Sequence, residues 1–253
     1  MLRSMNEQLN YTVEALDGEA GHLHDFLIDE RTWVVRYAAV DLGHWLPGRK
    51  VLLARPGIDA ADYASKTLTL KATKAQIEAS PDLTDDAPVS RQYEQYLYEH
   101  YQWAPYWAPG FAGGGVMPME TTAISEPDSP PFKAVNPHLR SLRELTGYSI
   151  LVDEEHVGRV DAFMCYDDTW EVPFLVANVG GWFHKERLMV PTKRVGEIAF
   201  TEHRLTLNMR ADTLDDLPAF DPEAPEAGRM EMCVYDYRGK MVAHEPVKDK
   251  HRR

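Results

Sequence analysis

One internal offset constrains this chain more than any other feature. Shifting the sequence by 137 residues aligns Gly21 with Gly158, Phe26 with Phe163, and Thr32-Trp33 with Thr169-Trp170. The same offset, without a gap, aligns Gly43 with Gly180, Trp45 with Trp182, Leu68-Thr69-Leu70 with Leu205-Thr206-Leu207, and Pro81 with Pro218. Conservative pairs such as Leu23/Val160, Tyr37/Phe174, Lys50/Arg187 and Leu53/Val190 fill the intervals. A fixed period of this kind identifies a repeated structural element. Copy 1 spans 11–82 and copy 2 spans 141–218, with 83–140 as linker and 219–253 as a C-terminal extension.

Each copy reads as β. Trp33, Val35, Tyr37 and Ala39 alternate with Val34, Arg36, Ala38 and Val40, and Trp170, Val172, Phe174 and Val176 alternate with Glu171, Pro173, Leu175 and Ala177. The set that begins with tryptophan is apolar in both copies, so a period of two places it toward a core. Pro173 has no N–H to donate and suits an edge or an unbonded position. Aspartate- and glycine-rich turns bracket these strands, and further strands are expected at Lys50–Ala54, Leu188–Pro191, Thr67–Lys71 and Arg204–Asn208. Short helical stretches at Thr73–Ala79 and Ala211–Leu217 close the copies. Short strands and tight turns within about 70 residues suggest a small barrel, marginal alone, so the copies should pack together or against another chain.

The linker has its own character. It holds eight of the seventeen prolines and the run Gly113-Gly114-Gly115. Ser90 can cap a helix carrying Tyr93, Leu97 and Tyr101 on one face, and Trp103, Tyr106, Trp107 and Phe111 follow. These rings either cover a barrel face in cis or offer a partner-binding surface. The extension contains a hairpin pattern, Met232–Tyr237 and Lys240–Ala243.

Several motifs resemble the PRC-barrel domain. They are Asp17-Gly18-Glu19-Ala20-Gly21, Asp25-Phe26-Leu27-Ile28-Asp29, Thr32-Trp33-Val34-Val35-Arg36-Tyr37 and Trp45-Leu46-Pro47-Gly48-Arg49-Lys50-Val51-Leu52. The linker segments Pro88–Gln92, Leu97-Tyr98 and Asn136–Ser141 resemble tandem proteins of that family. The resemblance implies a mainly β fold of two tandem small barrels with short helices, joined by an aromatic and proline-rich linker. The family's barrel occurs in the photosynthetic reaction-centre H subunit and in a ribosome-maturation factor, where it implies docking rather than catalysis. Copy 2 departs from the pattern at Asp153–Gly158 and carries His184-Lys185 where copy 1 has Pro47-Gly48.

Charge and chemistry narrow the function. The net charge of −13 disfavours a nucleic-acid binder, which needs basic residues to displace counterions. Copy 2 carries −6, the linker −4 and copy 1 −3. Two cysteines give no disulfide framework, and neither a membrane-length apolar run nor a signal-peptide core is present, so a cytoplasmic protein without a membrane span is expected. His22, His24 and Asp25 could form part of a metal site, but Arg159 and Asp161 replace the histidines in copy 2, and surface histidines are the simpler reading. Cys165 aligns with Ile28 and reads as a small buried residue. No nucleophile, phosphate-loop or paired-acid motif stands out, so no catalytic residue, metal or cofactor is assigned. The expected function is protein docking in a larger assembly, through Trp45, Pro47, Trp182, Tyr98, Trp103 and Trp107. Alternatives are a small-ligand or electron- and proton-transfer accessory like the H subunit, and a ribosome-assembly accessory. A protein partner or a homo-oligomer would fit the first reading.

Overall fold

The computed structural model describes residues 1–43, 46–83, 89, 91–107, 138–180, 186–221, 232–235 and 241–245. These residues are mainly β. The strands are β1 (Leu2–Ser4), β2 (Thr12–Ala15), β3 (Gly18–Asp29), β4 (Val34–Asp41), β5 (Lys50–Ala54), β6 (Ile58–Asp62) and β7 (Thr67–Leu70). They continue with β8 (Leu139–Ser141), β9 (Ser149–Val152), β10 (Glu155–Tyr166), β11 (Phe174–Val179), β12 (Glu186–Pro191), β13 (Val195–Ala199) and β14 (Arg204–Leu207), then β15 (Met232–Tyr235) and β16 (Met241–Glu245). The α-helices are α1 (Lys74–Glu78), α2 (Arg91–Tyr101) and α3 (Leu142–Leu145).

Two seven-stranded sheets have the same plan. One runs β5-β4-β3-β2-β7-β6 with β8 added on β3, the other β12-β11-β10-β9-β14-β13 with β1 added on β10. β15 and β16 form a separate hairpin. Register repeats with the sequence. The parallel pair β2–β7 aligns Thr12 with Thr67, and β9–β14 aligns Ser149 with Arg204, each shifted by the same offset. The antiparallel pairs match too, Ala39 with Leu52 and Val176 with Met189. No ladder among the described residues joins β5 to β6 or β12 to β13, so both sheets are open in their pairing.

The repeated glycines have a steric cause. A Cβ on Gly21 would lie 2.1 Å from the Asp41 carbonyl oxygen, and one on Gly158 would lie 2.3 Å from that of Asn178. Only a residue without a side chain lets the two backbones approach so closely. Where copy 2 departs from the motif, Asp153 and Glu154 supply two consecutive positive φ angles, 50° and 68°, as a tight hairpin turn of mirror-image type requires.

The expected alternation holds at first and then gives way. Val35, Tyr37 and Ala39 are buried, as are Val172 and Val176, while Arg36 and Glu171 are not. Further along, Ala38, Val40, Leu175 and Ala177 are buried as well, so both faces of these strands are covered there. Pro173 precedes β11 and its carbonyl accepts a bond from the Thr192 N–H at 2.9 Å. The closing stretches differ for a local reason. Thr73 and Gln76 form a reciprocal capping box on α1. Arg210 and Thr213 stand at the aligned positions, the Arg210 side chain makes no capping bond, and Ala211–Asp216 forms a 3-10 helix instead.

The chain divides into two compact units. The first comprises Met1–Leu9, Asp25–Arg36 and Arg140–Arg253, the second Asn10–His24 and Tyr37–Leu139. Their boundaries are not those of the copies, because the first unit contains the hairpin tips of both. Within it the tips are joined reciprocally. The Val35 N–H donates to the Trp170 carbonyl at 2.9 Å and the Val172 N–H to the Trp33 carbonyl at 2.7 Å. Between these bonds Val34 bridges Glu171, its own counterpart at the offset. Phe26 meets Trp170 edge-on at 5.9 Å, and Phe163 stacks on Trp33 at 6.3 Å. Neither tryptophan begins a strand. Each ends a four-residue loop at positive φ, 53° and 62°, with its N–H bonded four residues back to Asp29 or Tyr166. A tryptophan in that conformation costs about 1 kcal/mol, which the crossed aromatic contacts offset.

The repeat also extends further toward the N-terminus than its motif-rich part. Leu2-Arg3-Ser4 and Leu139-Arg140-Ser141 are identical and stand at the same offset. β1 pairs with β10 and β8 with β3, so each leading strand lies on the long strand of the other copy.

Candidate functional site

The site belongs to the second compact unit and begins with the spacing of α2. Tyr93, Glu94, Leu97 and Tyr98 form one stripe along the helix, and all four are buried. Three are apolar or aromatic, which explains the burial. Glu94 is the exception, at 0 % exposed.

A buried carboxylate requires donors, and tyrosines supply them. The Tyr37 hydroxyl, from β4, donates to Glu94 Oε1 at 2.7 Å, and the Tyr106 hydroxyl donates to the same oxygen at 3.0 Å. Burial raises the Tyr37 hydroxyl far above the usual tyrosine range, and the neighbouring Tyr98 and Glu94 push the same way. Tyr37 therefore stays protonated and remains a donor. The Tyr93 and Tyr101 hydroxyls are also raised, chiefly by burial. Tyr93 donates to the Pro81 carbonyl at 3.0 Å, and His100 Nε2 lies 2.7 Å from the Gln76 carbonyl oxygen. These bonds fix α2 at several points along its length.

The aromatic layer is built at the end of that helix. Gln102 takes a positive φ of 55°, which ends α2, and the Trp103 N–H bonds back to the Tyr98 carbonyl at 2.9 Å. Trp103 stacks on Tyr101 at 4.2 Å and meets Tyr98 edge-on at 6.1 Å. Trp107 meets Tyr98 at 5.1 Å and Tyr106 at 4.8 Å. Gly57 makes room for Trp103, since a Cβ there would stand 2.2 Å from the indole. Trp103, Tyr106 and Trp107 remain half-buried, so each ring has one packed side and one accessible part. Each tryptophan ring contacts two tyrosine rings. Chemically the arrangement is a neutral hydroxyl and carboxylate network suited to positioning.

Of the residues singled out in the sequence, Tyr98, Trp103 and Trp107 are brought together. Tyr98 is the buried base, 5 % exposed, and the two tryptophans lie on it. Pro47 is exposed in a turn. Trp45 and Trp182 lie outside the described residues, as does the helix cap expected at Ser90. Tyr106, named in the aromatic run after the helix, joins the three clustered aromatics through Glu94 and Trp107, whereas Tyr37, Glu94 and Gly57 were not singled out as site residues. The signal for Tyr37 was its alignment with Phe174, which lacks only the hydroxyl, and for Gly57 its alignment with Arg194.

The other candidates have local roles. Asp25 is buried and accepts bonds from Ser141 Oγ at 2.5 Å, the Phe26 N–H at 2.7 Å and the Arg143 N–H at 3.0 Å. Cys165 is buried. Among the described residues, no cluster of three metal-ligating side chains is found, and no helix is long and apolar enough to cross a membrane. Neither a family model nor a curated protein matches this sequence.

Proposed function

We propose that the protein is a tandem PRC-barrel docking module, acting by binding rather than catalysis, in the cytoplasm. The half-exposed layer of Trp103, Tyr106 and Trp107, anchored on buried Tyr98 and Glu94, is the observation that carries this reading. Rigid aromatic rings with one packed side lose little entropy on binding, and such residues dominate interface energies. The barrel reading is supported by chain connectivity. A single 3-10 turn, Arg55–Gly57 or Thr192–Arg194, links the two end strands of each sheet.

Affinity capture followed by quantitative mass spectrometry tests the docking role. The wild-type chain should enrich a defined protein set that falls at least tenfold with Trp103→Ala and Trp107→Ala combined. Circular dichroism should show the variant folded. An unchanged partner set with the folded double variant would refute this surface.

A further inference from the structure

We propose that the grooves along β10 and β3 are strand-acceptor sites that read an extended apolar-Arg-Ser segment, and that the groove on β10 can take such a segment from a partner polypeptide. This inference is independent of the aromatic layer. Its basis is that the chain fills both grooves with the same tripeptide, Leu2-Arg3-Ser4 in one and Leu139-Arg140-Ser141 in the other.

Three contacts read the segment on β10. The ladder pairs Leu2 with Tyr166, Arg3 with Cys165 and Ser4 with Met164, which fixes direction and register. Leu2 then enters an apolar cluster of Ala162, Met164, Val176 and Met189, with Phe174 and Phe220 packed against it. At the hairpin end Asp167 takes the Met1 ammonium directly, and Arg3 adds a longer-range charge contact, its Nε 3.9 Å from Asp167 Oδ2. On β3 the same chemistry recurs at the same offset. Arg140 makes two bonds to Glu30, at 2.5 and 3.0 Å, and lies 3.9 Å from the Phe200 ring centroid. Glu30 and Asp167 are aligned, so each acceptor carries an acid where the arginine arrives. Backbone pairing with side-chain pockets is how strand addition combines affinity with specificity.

The two segments differ in how firmly they are tied. Ser141 donates to Asp25, and its Oγ caps α3 by accepting from the Glu144 N–H at 2.9 Å, while Asp25 also holds the Arg143 N–H. In the other acceptor Ala162 occupies the position of Asp25. There Asn6 accepts from the Phe163 N–H at 3.1 Å in its stead. β1 lacks the buried carboxylate clamp and is held by the Met1 ammonium on Asp167, the Met5 N–H on the Phe163 carbonyl at 2.9 Å and Asn6 Nδ2 on Thr146 Oγ1 at 3.0 Å. An incoming segment of the same sequence would replace these bonds, so β1 is the exchangeable strand.

The probe is a fluorescent synthetic peptide, Met-Leu-Arg-Ser-Met-Asn-Glu-Gln, titrated by anisotropy into the full chain. Two variants weaken the resident strand: Leu2→Asp, which disturbs the apolar pocket, and Arg3→Glu, which places like charge beside Asp167. The peptide should bind each folded variant at least tenfold more tightly than wild type. A peptide with glutamate in place of its arginine should bind Asp167→Arg in preference to the arginine peptide. Absence of saturable binding to folded Arg3→Glu protein, or equal binding of the two peptides to Asp167→Arg, would overturn the proposal.

Discussion

Tyr37 and Phe174 occupy the same place in the same register, and their surroundings differ. Tyr37 is fully buried and its hydroxyl reaches Glu94 on α2. Phe174 is half-buried and, with Phe220, packs on the apolar cluster that includes Leu2. One hydroxyl separates the two side chains. Buried positions elsewhere recur at the offset because pairing sets them, as Val35 with Val172 and Ala39 with Val176. What covers a copy is set mainly outside the paired strands, by α2 over Tyr37 and by Phe220 beside Phe174, and there the copies diverge. Gly57 and Arg194 repeat the lesson, because only the glycine leaves space for an indole.

Four substitutions or conditions test that contrast, in descending order of effect. Glu94→Ala removes the common acceptor of two hydroxyls and leaves a cavity under the helix, at a cost of about 3–5 kcal/mol in urea unfolding. A loss below about 1 kcal/mol would mean the carboxylate is not holding the layer. Gly57→Ala should cost about 2–3 kcal/mol by displacing Trp103, with a shift in tryptophan emission. Tyr37→Phe converts the copy 1 position to its copy 2 counterpart and should cost about 2 kcal/mol, a hydrogen bond to a charged group. The reverse change, Phe174→Tyr, should stay within about 1 kcal/mol, since a half-exposed hydroxyl finds water.

Alkaline pH separates the same two positions without disturbing packing. The folded chain holds the Tyr37 proton above the usual tyrosine range, whereas an unfolded tyrosine ionises near pH 10. Below about pH 10 both states keep the proton and the stability is fully present. Above it the unfolded state binds fewer protons, and stability falls by about 1.4 kcal/mol per pH unit for this group. Tyr37→Phe should flatten the decline measured between pH 10 and 12. An identical slope in the variant would place Tyr37 outside the network.

The strand frame was legible because period-two patterning and turn residues are local signals, as at Lys50–Ala54, where the strand has the expected bounds. The helix was legible from Tyr93 and Leu97. Trp33 and Trp170 misled at their own positions, since alternation assigned them to strands, while tertiary contacts hold them at positive φ in loops. The exchanged leading strands went unnoticed because three residues carry too little signal alone, although Leu-Arg-Ser stood at the offset already found. The site was half visible. Tyr98, Trp103 and Trp107 were prominent as aromatics, but Glu94, between Tyr93 and Gln95 on a helix, reads as a solvated residue until its hydroxyl partners are known.

A double-mutant cycle between Tyr37→Phe and Glu94→Gln, read by urea unfolding, tests most directly that the network anchors the aromatic layer to copy 1. The two residues are in direct contact, so the cycle should give a coupling of about 1 kcal/mol or more. Additive effects, within about 0.3 kcal/mol, would show that the tyrosine and the glutamate are stabilised separately and would contradict the account.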